Sequence, residues 1–333
     1  MQRQQQLTQW LHGQFPQEPF TIAPASADAS FRRYFRATFS NRSLIVMDAP
    51  PQHEDCRPFL HVAKLFGAAG THVPQVYAQD MEQGFLLLSD LGNTTYLQAL
   101  NDGNADTVRN LYGAATDALI KIQLATRENE LPPYNEAMLL REMRLFPEWY
   151  IAKHLNVTLN DAQSAKLETV FARIIANNLA QPSVYVHRDY HSRNLMVTEP
   201  NPGIIDFQDA VYGPVTYDLA SLFKDAYIRW EEAQVIDWLI RYWEKARAAG
   251  LPVADDFSVF YRDYELIGVQ RHLKVLGIFA RLYHRDGKDG YLKDLPRVMA
   301  YLRAACARYI DLKPLLNLLD TLEPHMTQEG YTF

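Results

Sequence analysis

The chain has little of what would mark a secreted, membrane-spanning or nucleic-acid-binding protein. Its 333 residues include two cysteines, Cys56 and Cys306, 250 positions apart and without a CxxC partner. That usage implies no metal site and reads as two reduced, structural thiols of a cytosolic protein. No run approaches 18 apolar residues, and Met1 to Leu7 lacks the apolar core of a signal peptide, so we expect neither membrane spanning nor export. Basic excess is missing too. Against 39 Asp and Glu stand 33 Lys and Arg, a formal net charge of −6, which argues against nucleic acid and anionic membranes as partners. There is no internal repeat. What remains is an ordinary globular composition, 48% hydrophobic and 22% charged, long enough for two lobes.

One stretch organises the rest. Ser183 to Val186 reads as a β-branched strand, His187 to Asn194 as a polar loop, and Leu195 to Val197 as a short apolar strand. A turn and a second apolar strand then end at Asp206. The order His-x-Asp-x-x-x-x-Asn followed by Asp is the phosphoryl-transfer layout of the protein-kinase fold. The chemistry explains the residue types. Positioning and charge neutralisation dominate such a transfer, so one aspartate (Asp189) holds the attacking hydroxyl, while Asn194 and Asp206 hold Mg²⁺ over the phosphates of ATP. A lone HxD would carry little, because strand-loop-strand turns use Asp and Asn for their own hydrogen bonds.

Taken in order, residues 3–13 read as a helix, followed by strands at Phe20 to Ile22, Arg33 to Phe39 and Ser43 to Met47. A helix over 56–70 and strands from Val73 and Phe85 follow, and Ser89, Asp90 and Leu91 open a Gly/Asn-containing hinge where backbone groups meet adenine. The boundary belongs there: residues 1–90 form an N-lobe with a nucleotide-binding sheet and one helix, and 91–333 a helical C-lobe with the catalytic loop and substrate pocket. Helices are expected near 94–101, 105–126, 135–155, 160–180, 216–227, 231–249, 255–284 and 293–310. The fold class is therefore α+β, a protein-kinase-like bilobal fold. Asp218 is either a first-turn carboxylate or a brace for the catalytic loop.

Two absences stand out against that fold. The loop over the phosphates, Ala23 to Arg32, contains no glycine. Its small residues permit close backbone approach and Ser26 or Ser30 offers a hydroxyl, although a plain hairpin turn fits as well. The third strand, Leu44 to Asp48, carries no lysine for the phosphates. Arg32 and Arg33 are the candidate replacements, against the alternative of a solvated strand end.

The stretches from Val186 to Met196, Ile204 to Ala210 and Gly213 to Ala220 resemble the aminoglycoside phosphotransferase/choline kinase family of small-molecule kinases, and the likeness spans the chain from about residue 20. Only seven residues separate Asp206 from Pro214, leaving no room for a peptide-docking activation segment. Closer still, Ser30 to Arg36, Leu44 to Pro51, Leu86 to Gly92, Phe146 to Tyr150 and Gly268 to Arg281 look like the N-acetylmuramate/N-acetylglucosamine anomeric kinases of Gram-negative bacteria. The resemblance implies a cytoplasmic, ATP- and Mg²⁺-dependent kinase acting on the C1 hydroxyl of a free amino sugar in cell-wall recycling. Asp189 would be the base and Asn194 and Asp206 the metal residues, with the helical lobe selecting the sugar. We expect a monomer. Arg271 and Lys274, at i and i+3, would suit the lactyl carboxylate of N-acetylmuramate. Gln270, Glu148 and Asp225 join them as candidate sugar contacts, each of which also reads as an ordinary polar helix position. Two rivals follow from the same residues. One is a kinase for another acceptor, such as an aminoglycoside, choline, homoserine or a ketosamine. The other is a nucleotide-binding pseudokinase, suggested by the missing lysine and flap glycines.

Overall fold

The computed structural model describes residues 2–27 and 31–323. Two compact units emerge, Met1–Ala125 with Arg193–Asp209, and Thr126–Ser192 with Ala210–Phe333. In the first, α1 (Gln2–Gln14) precedes an antiparallel sheet of β1 (Thr21–Ala27), β2 (Arg33–Thr38), β3 (Ser43–Asp48), β4 (Val76–Asp80) and β5 (Phe85–Ser89), in the order β1-β2-β3-β5-β4. Period-two alternation fixes which face is which. Phe35 and Ala37 of β2, Leu44 and Val46 of β3 and Phe85 and Leu87 of β5 pack with Leu7 and Leu11 of α1. Leu86 and Leu88 of β5 are buried as well, which explains that strand's unbroken apolar run.

The strand β1 runs on through Pro24 to Ala27, where a loop was expected. It is an edge strand, where a missing N–H is tolerated, and its register shifts between Pro24 and Ser26. Between β3 and β4 lies α2 (Arg57–Ala68), and after β5 come α3 (Tyr96–Asn101), started by a capping box of Thr95 and Gln98, and α4 (Ala105–Leu124), capped by Asn104. The hairpin of β7 (Leu195–Met196) and β8 (Gly203–Ile204) belongs to this unit. It is tied to it by Ile204 N–H to His72 O (2.8 Å) and Val197 N–H to Thr94 O (2.9 Å).

In the second unit, β6 (Ser183–Val186) pairs antiparallel with β9 (Val211–Pro214) among the helices α5 (Glu136–Leu145), α6 (Asp161–Ala180), α7 (Tyr217–Phe223), α8 (Glu232–Ala248), α9 (Phe257–Asp286), α10 (Leu295–Arg308) and α11 (Lys313–Leu322). The expected helix over 135–155 is α5 continued by a π-helix, Phe146–His154. Pro147 has no N–H for the α-helical ladder, and the wider turn accommodates that loss. At 30 residues, α9 is buried on nearly all sides between Tyr264 and Leu282. Among the described residues no helix is long and apolar enough to cross a membrane.

Candidate active site

In the first unit a cavity of about 580 Å³ is lined by Tyr34, Arg36 and Ile45 of the sheet, by the hinge Ser89 to Asn93, and by Asn194 and Asp206. Asn194 and Asp206 meet because the β7–β8 register places Leu195 opposite Ile204, with Ile205 N–H donating to Asn194 O at 3.0 Å. Their side chains touch, Asn194 Nδ2 to Asp206 Oδ2 at 3.3 Å, and Gln208 Nε2 donates to Asp206 Oδ1 at 2.8 Å. Asp206 has φ +63°, a conformation costly for a residue with a Cβ, and Phe207 locks it by packing on Phe59 of α2 at 4.9 Å between ring centroids. Two oxygen-bearing side chains side by side suit a hard cation that takes its remaining ligands from phosphates and water. No group of three or more His, Cys, Asp or Glu residues able to hold a metal occurs among the described residues.

The two arginines proposed to replace the strand lysine separate. Arg32 reaches Asp206 at 3.7 Å, whereas Arg33 joins Arg3 in pairing with the fully buried Asp48. The Met47-Asp48 pair at the end of β3 thus serves a sheet-to-α1 brace. In the hinge, Asp90 accepts from Arg36 Nε (2.6 Å), Ser43 Oγ (2.7 Å) and Gly92 N–H (2.9 Å). Burial pushes its carboxyl up, but those hydrogen bonds win and hold it below the usual range. Ser89 Oγ accepts from Gln75 N–H at 2.8 Å and Leu91 is buried on the cavity wall. Ser26 stands opposite Tyr34 in the sheet register, and Ser30 lies outside the described residues.

In the second unit, the loop after β6 carries Asp189. Asp218, at the start of α7, accepts the N–H groups of His187 (2.7 Å) and Arg188 (3.0 Å), and so braces the loop. Arg188 has φ +77°, a second strained position. Asp225 accepts from Ser192 N–H (2.9 Å), Ser192 Oγ (2.5 Å) and Tyr227 N–H (2.8 Å), so its carboxylate fixes the far end of the same loop. Asp189 keeps 40% of its side chain exposed, with Arg271 Nη2 at 3.6 Å. Partial burial raises its carboxyl, but Lys274, Arg271, His191 and Arg188 outweigh that and hold it well below the usual carboxylate range.

Gln270, Arg271 and Lys274 are buried rather than forming a solvent-facing stripe. Gln270 and Lys274 converge with Arg188 on a residue not anticipated from the sequence, Glu142 of α5. Glu142 takes Arg188 Nη2, Lys274 Nζ (3.3 Å), Gln270 Nε2 (3.1 Å) and the Tyr134 hydroxyl. The available signal was a charge on the inward stripe of α5, between Leu139 and Phe146. Glu148, on the π-helix, is exposed.

Comparison with known proteins places this arrangement. The phosphotransferase enzyme family matches residues 21–254. An N-acetylmuramate/N-acetylglucosamine kinase of Pseudomonas aeruginosa is 52% identical over 96% of this chain and 97% of its own. The protein of that name from Neisseria meningitidis is 50% identical over the full length of both. Among solved structures, an ADP-bound aminoglycoside phosphotransferase superposes with a TM-score of 0.57 at 14% identity, covering 89% of this chain and 97% of that one. A choline kinase of Streptococcus pneumoniae gives 0.59 at 13%, covering 90% and 99%. The fold is thus protein-kinase-like, and the chain belongs to the phosphotransferase enzyme family.

Proposed function

We propose that the protein is an ATP- and Mg²⁺-dependent kinase that phosphorylates the C1 hydroxyl of N-acetylmuramate and N-acetylglucosamine. The observation that carries the chemistry is the Asn194–Asp206 contact on the wall of a cavity that also takes in the hinge. The relatives matched along their whole length carry the sugar in their names. Bound MgATP supplies the phosphoryl group and neutralises its charge. Asn194 and Asp206 hold the metal through oxygen, with Arg32 as the cation next to Asp206, and the hinge from Ser89 to Leu91 holds the base. Asp189 accepts the hydrogen bond of the sugar hydroxyl at a carboxylate oxygen and orients it. A carboxylate held so far below its usual range is a weak base, so it takes the proton only as the oxygen's bond to phosphorus forms. Arg271, whose Nη2 lies 3.6 Å from Asp189, is the candidate for an anionic substituent such as the lactyl carboxylate.

Phosphorus NMR tests this with MgATP and, in separate samples, N-acetylmuramate, N-acetylglucosamine, kanamycin and choline. An anomeric phosphate doublet with either amino sugar is expected. The variant Asp189→Asn should make that product about 10²-fold or more slowly while still binding MgATP. Product with kanamycin or choline alone would overturn the acceptor, and intact ATP in every sample would overturn the kinase reading.

A further inference from the structure

Strand β2 alternates between two faces. Phe35 and Ala37 pack with α1, so Tyr34 and Arg36 lie on the opposite face and line the cavity beside Ile45 of β3, the register partner of Arg36. An arginine there is costly unless it is paired. Arg36 holds Asp90 of the hinge in a two-bond fork, Nε to Oδ2 at 2.6 Å and Nη2 to Oδ1 at 3.0 Å. The same Nη2 donates to Gly92 O at 3.0 Å. Ser43 Oγ donates to Oδ2 at 2.7 Å and Gly92 N–H to Oδ1 at 2.9 Å. Four hydrogen bonds thus take up a carboxylate that keeps 6% of its side chain exposed, which leaves it nothing to offer a ligand.

One guanidinium therefore grips a turn at both ends, at Asp90 and at Gly92, whose φ of +87° lets the chain double back. Leu91 stands between them. Its side chain is committed to the β7–β8 hairpin, where a Cβ on Gly203 would lie 3.0 Å from Leu91 Cδ1. Among the described residues no hydrogen bond takes its main-chain N–H or C=O. The other charged residues lining the cavity, Arg193 and Asp206, belong to the hairpin segment, so the Arg36–Asp90 pair leaves the hinge end without net charge.

We propose that the Arg36–Asp90 pair determines nucleobase selectivity: by fixing the turn from Asp90 to Gly92 it presents the main chain of Leu91 to a purine ring. Asp90, expected from the sequence to touch the nucleotide, is a positioning residue that acts through the turn. This rests on the reading that the hinge holds the base. It goes beyond it in naming the side chains that give the hinge its shape.

Titration with MgATP and MgUTP, which share ribose and triphosphate and differ in the base, separates this role from general support of the sheet. The wild type should favour MgATP. Arg36→Lys keeps the charge but cannot bridge the carboxylate and Gly92 O. It should bind MgATP about tenfold more weakly, the share of a charged hydrogen bond, while MgUTP changes by less than about threefold. Asp90→Asn should show the same pattern. The double variant should lose no more than about threefold beyond the weaker single one, because both changes act on one turn. Equal losses for the two nucleotides, or losses that multiply in the double variant, overturn the proposal. The crystal structure of the wild type with MgATP tests it without a variant. The purine within about 3.2 Å of a Leu91 main-chain atom is expected, with Asp90 still on Arg36 and off the ligand. A hydrogen bond from the base to the side chain of Asp90 or Arg36 would overturn the positioning role. Equal affinity of the wild type for MgATP and MgUTP would sink the hinge reading first, and the proposal with it.

Discussion

Asp218 has no solvent-exposed surface, and burial pushes its carboxyl up to about 7, aided by the charge of Asp189 and opposed by the two N–H groups it accepts. The sign of the consequence follows from linkage. A folded-state value above the unfolded one means that the folded chain binds the extra proton, so the stabilisation is complete below about 4 and is lost as pH rises to about 7. At about 1.4 kcal/mol per tenfold in proton affinity, the loss is up to about 4 kcal/mol. The melting temperature of the wild type relative to Asp218→Asn should therefore fall between pH 4 and pH 7, and a flat difference would refute the assignment. At this scale the placement of Asp189 on the loop after β6, and of Asn194 and Asp206 beside the β7–β8 hairpin, was legible, because their spacing is a local pattern imposed by strand ends and a short hairpin. Glu142 was not, because its four partners come from three other segments, and only tertiary packing shows that a glutamate on an inward stripe has been neutralised.

The same boundary between local pattern and packing holds for whole elements. Helices α4, α6 and α8 start within a residue of their expected positions because Asn104, Asn160 and the flanking charges signal them locally. The π-helix after α5 and the extension of β1 through Pro24 were not legible, since each depends on how a proline's missing N–H is accommodated. Helix α11 lies beyond the last expected helix, although Pro314 and the leucines after it carry the signal of a helix start. Close approach is the clearest case of packing that spacing does not reveal. A Cβ on Gly277 of α9 would lie 2.3 Å from Leu145 C and 2.5 Å from Leu145 O, both backbone, so the helix crossing there depends on glycine. Gly113 of α4 has nothing within 4 Å of such a Cβ. Gly277→Ala should thus cost about 1–3 kcal/mol despite the better helix propensity of alanine, while Gly113→Ala gains up to about 1 kcal/mol. Thermal melts of the two variants check the opposite signs, and a shift in the same direction for both would refute the packing argument.

For the whole molecule, charge and chain topology bear on nucleotide binding together. The chain carries a formal net charge of −6, which disfavours a free polyanion such as ATP, so the proposed binding of ATP requires local groups and a bridging cation. The groups proposed for this all lie in one unit: the hinge after β5, the sheet, and the hairpin segment Arg193–Asp209, which follows the Asp189 loop in sequence yet packs with the N-terminal sheet. Nucleotide binding should therefore be insensitive to changes around Glu142 and Arg271 and sensitive to Asp206. At about a hundredfold excess over Kd, a ligand specific for the folded state adds about 2.7 kcal/mol and raises the melting temperature by several degrees. We expect that rise for the wild type with ATP and Mg²⁺, a much smaller one with ATP and a chelator, and in Asp206→Asn a small rise with or without the metal. The variant keeps the side chain's size and its contact with Asn194 while removing the charge that faces Arg32 and the proposed metal, and the samples with and without chelator separate the metal's share. If Asp206→Asn retained the full Mg²⁺-dependent rise, the metal would sit elsewhere and the Asn194–Asp206 contact would be a hairpin brace alone. If the rise vanished in Arg271→Gln, nucleotide binding would draw on the second unit as well, and the division of labour between the two would fail.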